Sequence, residues 1–165
     1  MQKNLGPAGV TIVIVRDDLV KPVEHIPSIL NYSLFVKKNS MFNTPPVFAI
    51  YATGLVLKWL KQQGGLAEIE KINREKSSLL YDFLDESKLF TNYIKQSDRS
   101  LTNVPFTTDD ADLDKQVIQA ASDAGLMNLK GHRSVGGLRA SLYNAMPTEG
   151  VQALVDFLNN FEKNH

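Results

Sequence analysis

The chain has 165 residues, of which 43% are hydrophobic and 22% are charged, a composition that excludes a disordered protein and predicts a globular one. Its 18 basic and 18 acidic residues give zero formal net charge, which argues against a broad nucleic-acid-binding surface. Cysteine is absent, so disulfides, thiolate metal sites and a cysteine nucleophile are excluded.

The first nine residues form a loop of mostly small residues that carries Lys3, and the apolar run Val10–Val15 follows at once. A continuous run of β-branched residues predicts a strand buried on both faces of a larger α/β sheet. This run is too short to span a bilayer and no signal-peptide pattern precedes it, so we expect a cytoplasmic protein without a membrane partner. Lys3 at the edge of such a strand could be a desolvated nucleophile, although most lysines are surface residues.

The middle of the chain is predicted to be a long loop followed by two helices. Prolines interrupt any period between residues 21 and 42, which indicates at most short elements there. Thr44 is the predicted N-cap of a helix that has Pro45 and Pro46 in its first turn and continues over residues 47–63, and Gly64 and Gly65 end it. A second helix over residues 66–84 has an apolar stripe at helical spacing.

The last third alternates short apolar runs with helical patterns. Strands are predicted over residues 91–96, 101–107, 126–130 and 137–143, and helices over residues 112–124 and 147–164. The first two strands are expected to form a hairpin through the polar turn at residues 97–100. The resulting fold class is α/β plus α+β: the end of one α/β domain over residues 1–65, then a small domain over residues 66–165 whose mostly antiparallel sheet is covered by helices.

Asn43 and Thr44 form a possible anion site. Their amide and hydroxyl groups stand at a predicted helix start, where backbone N–H groups favour a negatively charged ligand such as phosphate. The alternative is simple capping by Thr44, with Asn43 in a turn.

A glycine-rich bend carries His132 and Arg133, and Arg139 follows on a predicted strand. A guanidinium offers a rigid fork of donors and an imidazole adds another, so the adjacent pair suits a phosphate-like group. Arg139 stands between small and apolar residues, where a charge is costly unless it meets an anion. Together these residues predict a doubly anionic ligand. An internal ion pair for Arg139 and a solvated turn for the other two residues explain the pattern equally well.

The acidic run Asp109–Asp114 resembles a calcium site only superficially. It lacks the central glycine and the terminal glutamate of the helix-loop-helix calcium loop. Acidic residues also stabilise the start of a helix, which is where this run is predicted to lie. We therefore assign it a helix-start role and predict no metal site.

Three segments together resemble the phosphoserine aminotransferases, class V members of the fold-type I pyridoxal-phosphate enzymes. The segments are QKNLGPAG at residues 2–9, SMFNTPP at residues 40–46, and GHR at residues 131–133 with RASLYNAMP at residues 139–147. They are similar, in this order, to the family's cofactor-lysine segment, partner-subunit phosphate loop and substrate-binding segment. The resemblance runs from residue 2 to the C-terminus without a large gap.

The resemblance implies a cofactor, pyridoxal 5'-phosphate, and a role for individual residues. Lys3 is the implied catalytic residue and would hold the cofactor covalently. Gln2 would touch the cofactor phosphate, and Asn43 and Thr44 would complete that phosphate site across a homodimer interface.

The remaining three site residues would bind the substrate. Arg139 would bind the α-carboxylate of glutamate or of the phosphorylated oxo acid, while His132 and Arg133 would bind the substrate phosphate or the glutamate side chain. The implied reaction transfers an amino group between glutamate and 3-phosphohydroxypyruvate in serine biosynthesis, giving phosphoserine and 2-oxoglutarate. Some family members act on a related oxo acid in pyridoxine biosynthesis.

The family's full chain has a long part before the lysine, which supplies most of the large domain and the aspartate paired with the cofactor's ring nitrogen. Only two residues precede Lys3 here. The resemblance therefore implies a C-terminal portion that is inactive or very poorly active alone. Two alternatives stay open: a non-catalytic lobe that self-associates without regard to cofactor, and an anion-binding module whose phosphate binding survives loss of Lys3.

Overall fold

The computed structural model describes all 165 residues and divides them into two compact units, Met1–Trp59 and Leu60–His165. The helices are α1 (Tyr32–Lys37), α2 (Val47–Gln62), α3 (Gly65–Glu86), α4 (Ala111–Asp123) and α5 (Thr148–Lys163). The strands are β1 (Asn103–Phe106) and β2 (Leu138–Ser141), and short 3₁₀ turns lie at Lys3–Leu5, Asp17–Leu19, Ser28–Leu30 and Gln96–Asp98. None of the helices is long and apolar enough to cross a membrane.

The predicted strand over Val10–Val15 is wrong. The segment has no regular structure and no strand pairs with it, since the two-stranded sheet consists of β1 and β2. Ile14 is 95% exposed and Val13 is 50% exposed. A β-branched run becomes a buried strand only when neighbouring strands accept its backbone hydrogen bonds, and these residues have none.

The first unit confirms the predicted loop and helix but corrects the helix start. Residues 21–42 contain one 3₁₀ turn and the six-residue α1. The N–H of Ile50 donates to the carbonyl of Pro46 at 3.0 Å, which is the first i→i+4 bond of α2. Pro46 therefore holds the cap position and the prediction of Thr44 as N-cap is wrong, because α2 begins two residues later than the threonine would require.

The second unit is built around one hydrophobic core, and α3, α4 and α5 all form where helices were predicted. Core residues that are less than 2% exposed include Leu80, Phe90, Val104, Phe106, Val117, Leu138, Val151 and Leu158. Each such side chain contributes on the order of 1.5–3 kcal/mol through its burial. Helix α4 begins at a proper cap, since the Asp110 carboxylate accepts from the backbone N–H of Asp112 at 2.8 Å. That contact agrees with the helix-start role assigned to the acidic run.

The predicted hairpin over residues 91–107 is wrong. Strand β1 pairs antiparallel with β2, and Val104 lies opposite Ala140. Residues 91–96 contribute only an isolated bridge between Thr91 and Thr107, and the predicted strand over residues 126–130 is reduced to a bridge at Lys130. Pairing of β1 with β2 is more stable because it buries the apolar faces of both strands in one core. A hairpin between β1 and residues 91–96 would leave those faces half exposed.

Candidate functional site

Lys3 begins a 3₁₀ turn and is exposed. Its φ of 58° lies in the left-handed region, which is uncommon for a residue with a side chain. Gln2 precedes it with extended backbone and is also exposed. The N–H of Gly6 donates to the Lys3 carbonyl at 3.4 Å and closes the turn. The lysine is thus presented on a tight turn rather than on a flexible tail.

This turn lies directly against helix α2. A Cβ added to Gly6 would stand 3.3 Å from Thr53 Oγ1, and a Cβ added to Gly9 would stand 3.4 Å from Ala49 Cβ. Both glycines have φ above 110°, a conformation that side chains disfavour. Thr53 is buried and its hydroxyl has no hydrogen-bond partner. Small residues in the segment therefore serve a close approach between the Lys3 loop and α2.

Asn43 and Thr44 are exposed and line an open cavity of about 660 Å³ within the first unit. The cavity walls are largely apolar and include Val10, Tyr32 and Ile50. Gln2 and Lys3 are not among the lining residues. The structure thus brings Asn43 and Thr44 together at one cavity but does not place the lysine in its wall.

In the second unit, a closed loop over residues 131–137 presents His132 and Arg133 to solvent. The N–H of Gly131 donates to the Gly137 carbonyl at 2.9 Å, which joins the two ends of the loop. A Cβ on Gly131 would lie 2.0 Å from the Gly136 carbonyl oxygen, so no other residue fits. The glycines that the sequence singled out are therefore needed for this turn, and the two cationic side chains stand on it.

Arg139 lies on β2 between Leu138 and Ala140, which point into the core. Its backbone N–H donates to the Leu129 carbonyl at 2.7 Å, and its partner in the sheet register is Pro105. Successive side chains of a strand alternate between faces, so the half-buried guanidinium lies on the face away from the core. Its Nε is buried and has no hydrogen-bond partner. A buried cationic donor without a partner is the complement of a carboxylate ligand.

The second unit also contains a buried lysine that the sequence pattern did not predict. Lys76 on α3 is 0% exposed, and its Nζ donates to the carbonyls of Tyr143 and Met146, both at 2.9 Å. Loss of water lowers the pKa of Lys76 from its usual value of 10.5. The available signal was spacing, since Lys76 occupies the apolar face of α3 at helical intervals from Ile69 and Leu80.

Comparisons with known proteins cover nearly the whole chain. The family model for class-V aminotransferases matches residues 1–154. The phosphoserine aminotransferase of Lactobacillus helveticus (strain DPC 4571) is 80% identical over 165 residues, which are 100% of this chain and 44% of the relative. The phosphoserine aminotransferase of Lactiplantibacillus plantarum (strain ATCC BAA-793 / NCIMB 8826 / WCFS1) is 69% identical over 99% of this chain and 46% of its own length.

Solved structures agree with these sequence matches. A phosphoserine aminotransferase from Bacillus circulans subsp. alkalophilus superposes with a TM-score of 0.94 at 47% identity, over 98% of this chain and 45% of its own. A structure that describes radiation damage of the Schiff base in phosphoserine aminotransferase superposes with a TM-score of 0.95 at 43% identity, over 98% and 46%. The predicted fold class is confirmed by these matches, and the chain spans slightly less than half the length of the curated relatives it matches.

Proposed function

Because this chain belongs to the class-V aminotransferase family, we propose that it is the C-terminal portion of a phosphoserine aminotransferase. The reaction is reversible transfer of an amino group between glutamate and 3-phosphohydroxypyruvate, with pyridoxal 5'-phosphate as cofactor. The observation that carries the proposal is the buried, unpartnered Nε of Arg139. It offers a carboxylate site on the same unit as the His132–Arg133 loop, as a substrate with two anionic groups requires.

The donor set of the first unit fits this cofactor. Lys3 supplies an exposed primary amine on a tight turn, and the Asn43 amide and Thr44 hydroxyl supply neutral donors for a phosphate. Gln2 of one subunit and Asn43 and Thr44 of the other would hold the phosphate group. When bound, pyridoxal phosphate supplies an electron sink for the carbanion that forms at the substrate α-carbon.

Lys3 performs the chemical work in this proposal. Its Nζ would hold the cofactor covalently in the resting enzyme. The free amine would act as general base and general acid, taking the proton from the substrate α-carbon and later giving it up. The tight turn fixes the backbone from which that amine extends, which lowers the entropic cost of placing it beside the reacting carbon.

Substrate recognition falls to the second unit. Arg139 would donate two hydrogen bonds to the α-carboxylate, one of them from its Nε. His132 and Arg133 would bind the phosphate of the oxo acid in one half-reaction and the side-chain carboxylate of glutamate in the other. The planar donor fork of Arg133 suits either anion, and His132 on the same glycine-built loop adds a further N–H donor.

The chain would contribute to two domains of a cytoplasmic enzyme. Residues 1–65 would be the end of the cofactor-binding large domain, and residues 66–165 the small domain. Asn43 and Thr44 would complete the phosphate site of a second subunit, which makes a cytoplasmic homodimer the working form. We expect a polypeptide of these 165 residues alone to have little or no activity, since it spans 44% of its Lactobacillus helveticus relative.

The test is complementation with the upstream part of that relative, co-expressed with this chain. We expect glutamate-dependent formation of phosphoserine from 3-phosphohydroxypyruvate, lost in Lys3→Ala and retained in the control Lys21→Ala. Arg139→Ala should raise the KM for glutamate at least tenfold, because a charge-assisted contact contributes on the order of 1.5–3 kcal/mol. An inactive mixture that still binds phosphate through Arg139 would instead favour the non-catalytic anion-binding lobe.

A further inference from the structure

We propose that Ser134 is a positioning residue for His132. It holds the imidazole in the tautomer that carries its proton on Nε2, so that Nε2–H is the donor offered to a substrate oxyanion. The inference rests on the proposed function, which makes His132 an anion ligand, and it adds a residue and a protonation geometry to that site.

The backbone of His132 is fixed first. Its carbonyl accepts from the N–H of Val135 at 2.9 Å and from the N–H of Gly136 at 2.8 Å. The bond between Gly131 and Gly137 closes the loop around this turn. The peptide that carries the imidazole is therefore held by local hydrogen bonds, although the residue itself is exposed.

The ring is fixed second, and through one nitrogen only. Nδ1 lies 2.7 Å from Ser134 Oγ, and the backbone N–H of Ser134 points at the same Nδ1 at 3.4 Å. A backbone N–H can only donate, so Nδ1 must be an acceptor. The serine hydroxyl can rotate and donate as well. The backbone N–H and the hydroxyl of Ser134 can therefore both donate to the lone pair of Nδ1.

The tautomer follows from the chemistry of imidazole. A neutral ring has one donor nitrogen and one acceptor nitrogen, and which is which is set by the partner of the other. With Nδ1 accepting from Ser134, the proton lies on Nε2. The opposite tautomer would turn a lone pair towards the oxyanion, which has acceptors only.

Pre-orientation is the functional gain. A free imidazole loses rotational freedom when a ligand binds, and a ring already held by Ser134 loses less. Arg133, the next residue, supplies the formal charge, so His132 has to supply only a directed N–H. Ser134 is exposed and outside the core, so removing its hydroxyl changes the ring without opening a cavity.

The experiment uses the full 165-residue chain with ¹⁵N-labelled histidine, at an alkaline pH where imidazole is neutral. Ring nitrogen shifts should report the Nε2–H tautomer for His132 in the wild type and in Ser134→Thr. Ser134→Ala should give a mixture of tautomers, and Ser78→Ala, an exposed serine on α3, serves as the control. The affinity for inorganic phosphate, measured by titration, should be about three- to tenfold lower in Ser134→Ala than in the wild type. A change of this size corresponds to the loss of one hydrogen bond.

Two failures are distinguishable. An Nδ1–H ring in the wild type, or tautomer populations that Ser134→Ala leaves unchanged, overturns the positioning role. In the second case the tautomer of His132 changes in Ser134→Ala, but His132→Ala leaves the phosphate affinity unchanged. This result overturns the anion-binding role of His132 in the proposed function, and the tautomer then serves no ligand.

Discussion

The side-chain ammonium of Lys76 donates to the backbone carbonyl of Tyr143 at 2.9 Å. A second bond from the same Nζ reaches the Met146 carbonyl, and Asn73 donates to Asn144 Oδ1 at 2.8 Å. These contacts tie α3 to the turn that follows β2, the strand of Arg139. The Lys76 charge is buried, but the two carbonyl oxygens accept its hydrogen bonds. The lysine therefore stabilises the conformation of the turn that leads into α5.

Replacement of this buried lysine should destabilise the second unit. Lys76→Met keeps the side-chain length but leaves the Met146 carbonyl without its lysine donor, and we expect the free energy of unfolding to fall by about 1–3 kcal/mol. Urea unfolding followed by circular dichroism measures the change. Lys71→Met, an exposed lysine on the same helix, should change stability by less than about 0.5 kcal/mol. Equal stability of the two variants would contradict a stabilising role for the hydrogen bonds of Lys76.

The pH dependence of stability provides an independent check on Lys76. Desolvation lowers the pKa of Lys76 in the folded chain below the usual 10.5, so between these two pKa values the unfolded chain binds more protons. Stability of the wild type relative to Lys76→Met should therefore rise as pH increases through the folded pKa towards 10.5, and should not vary at lower pH. Parallel urea titrations of the two proteins measure this difference, and a difference that falls with increasing pH would contradict it.

The ion pair between Arg99 and Asp85 should contribute modestly to stability. The hydrogen bond from Arg99 lowers the pKa of Asp85 below its usual 3.8, and the guanidinium also lies 4.5 Å from the centre of the Tyr81 ring. Asp85 is half exposed, so Asp85→Asn should cost only about 0.5–1 kcal/mol at neutral pH. Stability from a lowered carboxyl pKa is present above 3.8 and is lost as pH falls through the folded value, so the difference should vanish in acid. Chemical unfolding of the wild type and Asp85→Asn at neutral pH and in acid measures this difference. Glu86→Gln, at an exposed position, is the control.

Gly131 should be intolerant of any side chain. The Gly136 carbonyl oxygen would lie 2.0 Å from an added Cβ, so Gly131→Ala must open the loop that carries His132 and Arg133. We expect phosphate affinity to fall at least tenfold while the core of the second unit stays folded, because the loop lies outside it. Gly54→Ala is the matched control, since nothing lies within 4 Å of its added Cβ. Calorimetric titration with phosphate measures the effect, and unchanged binding in Gly131→Ala would refute the loop's role.

Lys3 should be the site of cofactor attachment. In the complemented enzyme, pyridoxal phosphate should produce a visible absorption band, and borohydride should remove the band while fixing the cofactor to Lys3. Peptide mapping by mass spectrometry identifies the modified residue. Lys3→Ala should lack both the band and the label, whereas Lys21→Ala should keep them. Label found on another lysine would reject the assignment.

Much of the helical fold was predictable because its signals are local. Helix α3 starts after Gly64 and follows an apolar stripe, and α4 starts at the Asp110 cap. The wrong strand predictions share one cause, which is the absence or choice of a partner strand. The run Val10–Val15 has the composition of a buried strand but no partner strand, and β1 pairs with β2 instead of with residues 91–96.

The candidate site was predictable in its residues but not in their surroundings. Composition and motif order identified Lys3, His132 and Arg139 as chemistry-bearing residues. They could not reveal that Arg139 Nε is buried without a partner, or that Ser134 holds the His132 ring. The residue type determines which hydrogen-bond donors exist. Whether a donor finds a partner depends on which distant part of the chain packs against it.

The sequence alone determined the four longer helices, the glycine-built loop and the family, because a helical hydrogen bond joins residues four apart and the family's motifs follow one another in a fixed order along the chain. Only the tertiary structure decided the strand pairing of Val104 with Ala140 and the burial of Lys76 under the turn at Tyr143. Those contacts join residues far apart in the chain, and their stability comes from a shared core that no local pattern encodes.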